Sequence, residues 1–118
     1  LFANEEEIKS LYQLKDFDAA LQAVRLDCDV AALTRDKRGS VAVRGNEVHV
    51  VNAEPVAKVV DTTGAGDAYA AGFLHGYTTN QPLDVCARLG GICSAEIISH
   101  VGARPVVSLK NLIKEKIK

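Results

Sequence analysis

Asp61-Thr62-Thr63-Gly64-Ala65-Gly66-Asp67 is the stretch around which the rest of the chain is organised. It follows an apolar run, Val56-Ala57-Lys58-Val59-Val60, that reads as a buried strand. It leads into Ala68-Tyr69-Ala70-Ala71-Gly72-Phe73-Leu74, which reads as a buried helix. Gly64, Ala65 and Gly66 carry almost no side chain, so their amides can approach a ligand closely. Amides left free at a helix start, aided by the helix dipole, form an anion site, and phosphate is its natural occupant.

Asp67 sharpens that reading. A carboxylate beside a phosphate cradle repels the phosphate, so a loop that only binds has reason to avoid one, whereas a transferase has reason to keep it. Asp67 could accept the proton of an attacking hydroxyl while the 64–66 amides stabilise charge on the transferring phosphoryl group. A weak base suffices where the transition state is loose, because the hydroxyl proton need not leave early. The plainer account is an exposed first-turn acid favoured by the helix dipole. Both accounts stand at this point.

Asp-Thr-Thr-Gly-Ala-Gly-Asp followed by an Ala/Gly-rich helix resembles the C-terminal signature of the ribokinase-like (PfkB) carbohydrate and nucleoside kinases. Members of that family are considerably longer, so the resemblance is to their C-terminal part. It implies an α/β fold, the C-terminal part of a three-layer αβα architecture with a β-hairpin. Residues 1–118 would then be the ATP-binding and catalytic part, without the N-terminal part that holds most of the acceptor. The implied activity is ATP-dependent phosphoryl transfer to a sugar or nucleoside hydroxyl. Asp67 is the expected general base, and the amides of Gly64, Ala65 and Gly66 the expected anion hole. The 68–74 helix and the Ala103-Arg104-Pro105 loop look most like adenosine kinase and sugar kinase members.

Composition sets the frame for that expectation. The chain has 118 residues, 47% hydrophobic and 25% charged, with a net charge of −1. This is an ordinary globular balance for a single domain, and a chain of this size buries about two-thirds of its surface. Without a basic block, neither nucleic acid nor a membrane surface is an expected partner. No 18-residue apolar run and no signal-peptide pattern is present. Cys28, Cys86 and Cys93 are not in CxxC spacing, so zinc is not expected. Cys86 and Cys93 lie about 10 Å apart on one predicted helix, too far for a disulfide. All three read as reduced thiols of a cytoplasmic protein. The expected partner is a small sugar or nucleoside, and a homodimer is among the expected assemblies.

Taken in order, Leu1-Phe2-Ala3 reads as the tail of a strand. Asn4 caps a helix with Glu5, Glu6 and Glu7 in its first turn, and Asn4 with Glu7 forms a capping-box-like pair. Asn4-x-x-Glu7 also matches the Asn-x-x-Glu motif of the kinases, which implies water-held contacts to Mg²⁺ and phosphate, with Asn4 on the ATP side and Glu7 on the metal side. The two readings are compatible. Asp16-Phe17-Asp18 starts a second helix with Phe17, Leu21 and Val24 on its core face.

Val30 to Thr34 is an apolar strand ending in the polar turn Thr34-Arg35-Asp36-Lys37-Arg38-Gly39. Ser40–Arg44 and Glu47–Asn52 alternate around Gly45-Asn46, which reads as a hairpin, although Gly-Asn is a less favourable order than Asn-Gly. The family resemblance implies that Thr34 and Gly39 contact the ATP phosphates, with Arg35, Lys37 or Arg38 adding charge. A solvated hairpin approach is the alternative for those basic residues, and Arg35 departs from the family pattern.

Leu83 opens a long helix to about His100. Its adjacent Gly90 and Gly91 cost about 1 kcal/mol each against Ala, so a close contact should compensate. The resemblance implies an adenine wall from Ala95, Ile98, Ser99 and Gly102. His100 reads as a ligand contact or as a dipole partner at the helix end. The resemblance also implies a monovalent cation, K⁺, on backbone carbonyls of Asp61 and Thr63. Ser108 is expected to cap a last helix over 109–117.

Competing phosphate motifs fail. A Walker A loop needs Lys-Ser/Thr after its second Gly, where Asp67-Ala68 stands. A dinucleotide fingerprint needs a third Gly where Tyr69 stands, and Asp84 sits at a helix start where capping explains it. Two other classes remain beside the kinase: a nucleotide-binding module without turnover, and an oligomer-forming structural piece with an exposed sheet edge.

Overall fold

A computed structural model describes residues 1–55 and 64–98. The chain forms two compact units, one spanning Leu1–Ala53 and the other beginning at Glu54. The expected strand over 56–60, Asp61, Thr63, Ser99, His100, the 101–105 loop and the 109–117 helix fall outside the described residues.

The first unit runs β1 (Phe2–Asn4), α1 (Glu5–Leu11), α2 (Phe17–Asp27), β2 (Ala31–Thr34), a 3-10 turn (Asp36–Arg38), β3 (Ser40–Arg44) and β4 (Glu47–Val51). The sheet order is β1-β2-β3-β4. β1 and β2 are parallel, as a helical crossover between them requires, and the hairpin strands are antiparallel.

Strand alternation builds the core. Ala31 and Leu33 of β2 face the same way as Val41 and Val43 of β3, and α1 and α2 cover them with Ile8, Phe17, Ala20, Leu21 and Val24. Ala32 and Ala42, on the opposite face, are also buried. β2 is therefore buried on both faces, which is why it reads as an unbroken apolar run.

The hairpin register is Arg44↔Glu47. Gly45 takes a φ of +59°, while Asn46 is not among the positive-φ residues. Only the first turn position needs glycine, so the Gly-Asn order suits this turn and the register is unambiguous.

In the second unit, α3 (Ala65–Thr78) and α4 (Leu83–Ile98) form a helical hairpin. Gly72 and Gly76 of α3 face Leu89 and Cys86 of α4, and Gly90 of α4 faces Tyr69 of α3. The pairing runs antiparallel, as the short link between the helices demands.

A Cβ on Gly72 would lie 2.5 Å from the Leu89 carbonyl oxygen. One on Gly90 would lie 2.8 Å from the Tyr69 ring. Gly90 is thus compensated by close packing, as expected, but a Cβ on Gly91 would meet nothing nearer than Glu54 Cγ at 4.0 Å.

The expectation of a buried helix, apolar on nearly all sides, holds for only one stripe of α3. Its buried residues are Tyr69, Gly72, Phe73 and Gly76, one stripe at helical spacing, while Ala71, Leu74, His75 and Tyr77 are exposed. One partner helix covers one stripe, however apolar the remaining faces are. Cys86 and Cys93 are buried, Cys28 is half-buried, and all three are free thiols. Burial pushes the Cys93 thiol up, which keeps it protonated and unreactive. Among the described residues no helix is long and apolar enough to cross a membrane.

Candidate functional site

Residues expected to be functional occur in both units. In the first, β1 and β2 pair in parallel with Asn4 opposite Thr34. Both residues end their strands, so Asn4, Glu7, Thr34 and Gly39 gather at the carboxyl edge of the sheet. Ligands in open α/β sheets bind beyond that edge.

The chain turns into α1 at Asn4 by a complete capping box. Asn4 Oδ1 accepts from the Glu7 N–H at 2.8 Å, and Glu7 Oε1 accepts from the Asn4 N–H at 2.9 Å. The capping reading of Asn4-x-x-Glu7 is therefore realised, and it engages one oxygen of the Glu7 carboxylate.

Glu5 and Glu6 are compensated by Lys9, whose Nζ lies 3.5 and 3.1 Å from them. Arg35 Nε also donates to Glu5 Oε1 at 2.7 Å. That hydrogen bond, foremost, holds the Glu5 carboxyl below its ordinary value despite some desolvation. Among the described residues Glu7 enters no ion pair, and no group of three His, Cys, Asp or Glu side chains could hold a metal. The described residues therefore offer a metal no cage of protein ligands, and Glu7 could meet one only as an outer contact through water. That is the habit of Mg²⁺, which keeps several waters and binds mainly through phosphates.

Thr34 leads into a tight turn in which Arg35 N–H donates to Gly39 O at 2.7 Å and Gly39 N–H donates to Asp36 O at 3.1 Å. Gly39 has a φ of +88°, and a Cβ there would collide with the Val51 carbonyl oxygen. The glycine is thus required by the backbone beside it, with or without a ligand. Lys37 and Arg38 are exposed, whereas Arg35 is occupied within the unit.

In the second unit, Gly64 caps α3 in the left-handed conformation, φ +81° and ψ 0°, with no side-chain cap bond. The first helical bond is Ala68 N–H to Gly64 O at 2.9 Å. The amides of Ala65, Gly66 and Asp67 precede it and have no acceptor within the helix. A Cβ on Gly66 would meet nothing within 4 Å, and both Gly66 and Asp67 are exposed. Asp67 stands on the first turn, one residue past the glycines.

Because α3 and α4 are antiparallel, the first turn of α3 and the last turn of α4 lie at the same end of the hairpin. Ala95 and Ile98, both half-buried, are thereby brought to the end that carries Gly64–Asp67. Asp61, Thr63, Ser99 and Gly102 lie outside the described residues. Sequence reasoning passed over Gly76 as a packing residue and Glu5 as an ion-pair partner. The signals were the Gly72-x-x-x-Gly76 spacing and the excess of acids in the first turn of α1.

Three relatives set these features in context. An uncharacterized sugar kinase of Archaeoglobus fulgidus is 37% identical over 86% of this chain and 40% of its own length. The cytidine kinase of Thermococcus kodakarensis is 33% identical over 86% of this chain and 37% of its own. The crystal structure of adenosine kinase from Sinorhizobium meliloti superposes with a TM-score of 0.95 at 47% identity, over 98% of this chain and 35% of that one. The chain thus spans between about a third and two-fifths of the length of these relatives. The fold is the mixed α/β fold of those kinases. The pfkB family carbohydrate kinase pattern runs over residues 1–110, and the chain belongs to that family.

Proposed function

We propose that the chain is the C-terminal, nucleotide-side part of a kinase that transfers the γ-phosphoryl group of ATP to a hydroxyl of a sugar or nucleoside. The observation that carries this reading is the start of α3. A left-handed Gly64 without a side-chain cap opens the helix, small residues follow, and an exposed Asp67 stands one residue beyond.

In this reading the 64–66 amides donate to the transferring phosphoryl group as its charge redistributes. Asp67 accepts the acceptor's hydroxyl proton at its carboxylate, a step worth about 10²–10⁴-fold. Asn4 and Glu7 make outer contacts to Mg²⁺, which when bound neutralises phosphate charge. Thr34 and Gly39 lie along the phosphates, and Ala95, Ile98, Ser99 and Gly102 line the adenine. A K⁺ on the carbonyls of Asp61 and Thr63 belongs to the same reading and rests on family membership alone.

The names of the relatives divide between sugar and nucleoside acceptors, so the acceptor class is left at a hydroxyl of either. The short span against the relatives favours one other reading: a unit that binds Mg·ATP without turnover.

The deciding experiment pairs Mg·ATP affinity with ADP release across sugars and nucleosides, for the chain and for Asp67→Asn. A kinase gives transfer that Asp67→Asn abolishes while affinity stays within a few-fold. Binding without transfer supports the second reading, and loss of binding with transfer intact removes Asp67 as the base.

A further inference from the structure

We propose that Arg35 is a positioning residue: its guanidinium clamps the first turn of α1 to the turn after β2 and to the start of α2, and so fixes Asn4–Glu7 against Thr34–Gly39. The inference rests on reading those residues as nucleotide contacts. Along the sequence, Arg35-Asp36-Lys37-Arg38 reads as a solvated basic turn in which any cation could meet a phosphate. The structure separates them. Lys37 and Arg38 are exposed, but the Arg35 side chain is only 22% exposed. Its Nε donates to Glu5 Oε1 at 2.7 Å, and its guanidinium carbon lies 3.9 Å from the centre of the Phe17 ring.

Each anchor is itself held. Phe17 belongs to the buried core cluster, so its ring is fixed by packing. Glu5 adjoins Asn4, whose side chain and N–H are both engaged in the capping box. At its own backbone, Arg35 closes the turn through the bonds Arg35 N–H to Gly39 O at 2.7 Å and Arg38 N–H to Arg35 O at 3.0 Å. Sheet pairing aligns the two segments only as far as Asn4↔Thr34. Beyond that pair the strands have ended, and Arg35 bridges the two segments through Glu5.

The clamp also sorts charge. Three acids open α1, and Arg35 with Lys9 compensates Glu5 and Glu6. Glu7 enters no ion pair among the described residues and stands beside the turn where a metal-bound polyphosphate would lie. An arginine committed this way is a poor phosphate ligand, because reaching a phosphate would break a charge-assisted hydrogen bond and a cation–π contact together.

The two roles predict opposite signs. If charge alone governs nucleotide affinity, Glu5→Gln removes an acid and tightens Mg·ATP binding, and Arg35→Lys changes nothing. If Arg35 is a clamp, Glu5→Gln and Arg35→Lys each weaken Mg·ATP binding by about three- to tenfold, the size of one lost partly exposed charged contact. The double variant then does no worse than either single one.

Calorimetric titration of the chain with Mg·ATP reads this directly. Val43→Ala, a core change at the end of the β2/β3 pair away from Thr34, separates loosening from positioning. It should lower the urea midpoint and leave affinity unchanged. Tighter or unchanged binding in Glu5→Gln, wild-type affinity in Arg35→Lys, or equal weakening by Val43→Ala each overturns the clamp. If the wild-type chain shows no Mg·ATP affinity, the proposed function fails on its own account. The clamp is then judged by amide exchange at Asn4 and Glu7: faster exchange in Glu5→Gln and Arg35→Lys upholds it, and unchanged exchange overturns it.

Discussion

In the Leu1–Ala53 unit, the residues proposed to meet the nucleotide are held by side chains. Asn4 and Glu7 bind each other's amides, Glu5 binds Arg35, and Arg35 rests on Phe17. In the helical hairpin of the other unit, the proposed residues are held by the absence of side chains. Gly64 takes a conformation that a Cβ resists, and Gly72, Gly76 and Gly90 let α3 and α4 meet at backbone distance. The first strategy tolerates partial loss, because each bond is one of several exposed or half-buried contacts. The second does not, because a new Cβ has no room to move into.

That contrast is testable, beginning with the largest effect. Asp67→Asn should lower phosphoryl transfer by about 10²–10⁴-fold with urea stability unchanged, since it removes the proposed base and touches no packing. An equal fall in stability would mean that the glycine-built hairpin depends on side chains after all.

Gly72→Ala should cost about 1–3 kcal/mol in urea unfolding, as overpacking against backbone does. A neutral result would show that α3 and α4 can separate cheaply. Gly64→Ala should cost about 1–2 kcal/mol for a non-glycine residue in the left-handed region, and should weaken Mg·ATP binding as well.

Asn4→Ala removes the capping oxygen and should cost about 1 kcal/mol, less than either glycine change. The smallest effect is in pH. Glu5 has its carboxyl lowered from 4.5 by Arg35, so its contribution to stability is present above that value. It fades as acid carries the pH through the lowered one. Stability measured between pH 6 and pH 3 should fall less steeply in Arg35→Gln than in wild type. On the alkaline side, the Tyr12 hydroxyl donates to Asp27 at 2.7 Å and is pushed up to about 12, so that bond should persist until the pH rises through that range.

Much of the architecture could be read from the residues. Asn4, Asp16 and the Gly45-Asn46 turn are local signals, and local hydrogen bonding realises each of them. The strand at Ala31–Thr34 was legible because burial on both faces leaves an unbroken apolar run. The exposed face of α3 was not legible. Ala, Gly and Leu are compatible with burial without demanding it, and only the position of α4 selects the stripe that is covered. The motif proposed to be catalytic stood out because Gly64, Gly66 and Asp67 lie within four consecutive residues. The Arg35 clamp was not, because Glu5 and Phe17 are distant in sequence and meet Arg35 only once β1 and β2 pair.

The sequence by itself therefore determined the family, the order of the described elements and their caps, all of which depend on neighbours a few residues apart. Tertiary structure alone decided which basic residue of the turn is occupied, which glycines are forced by packing and which first-turn acid stays outside the ion pairs of the described residues. Those properties depend on what lies across a strand pair or a helix pair, and the packing geometry that sets such distances is not written in any local pattern.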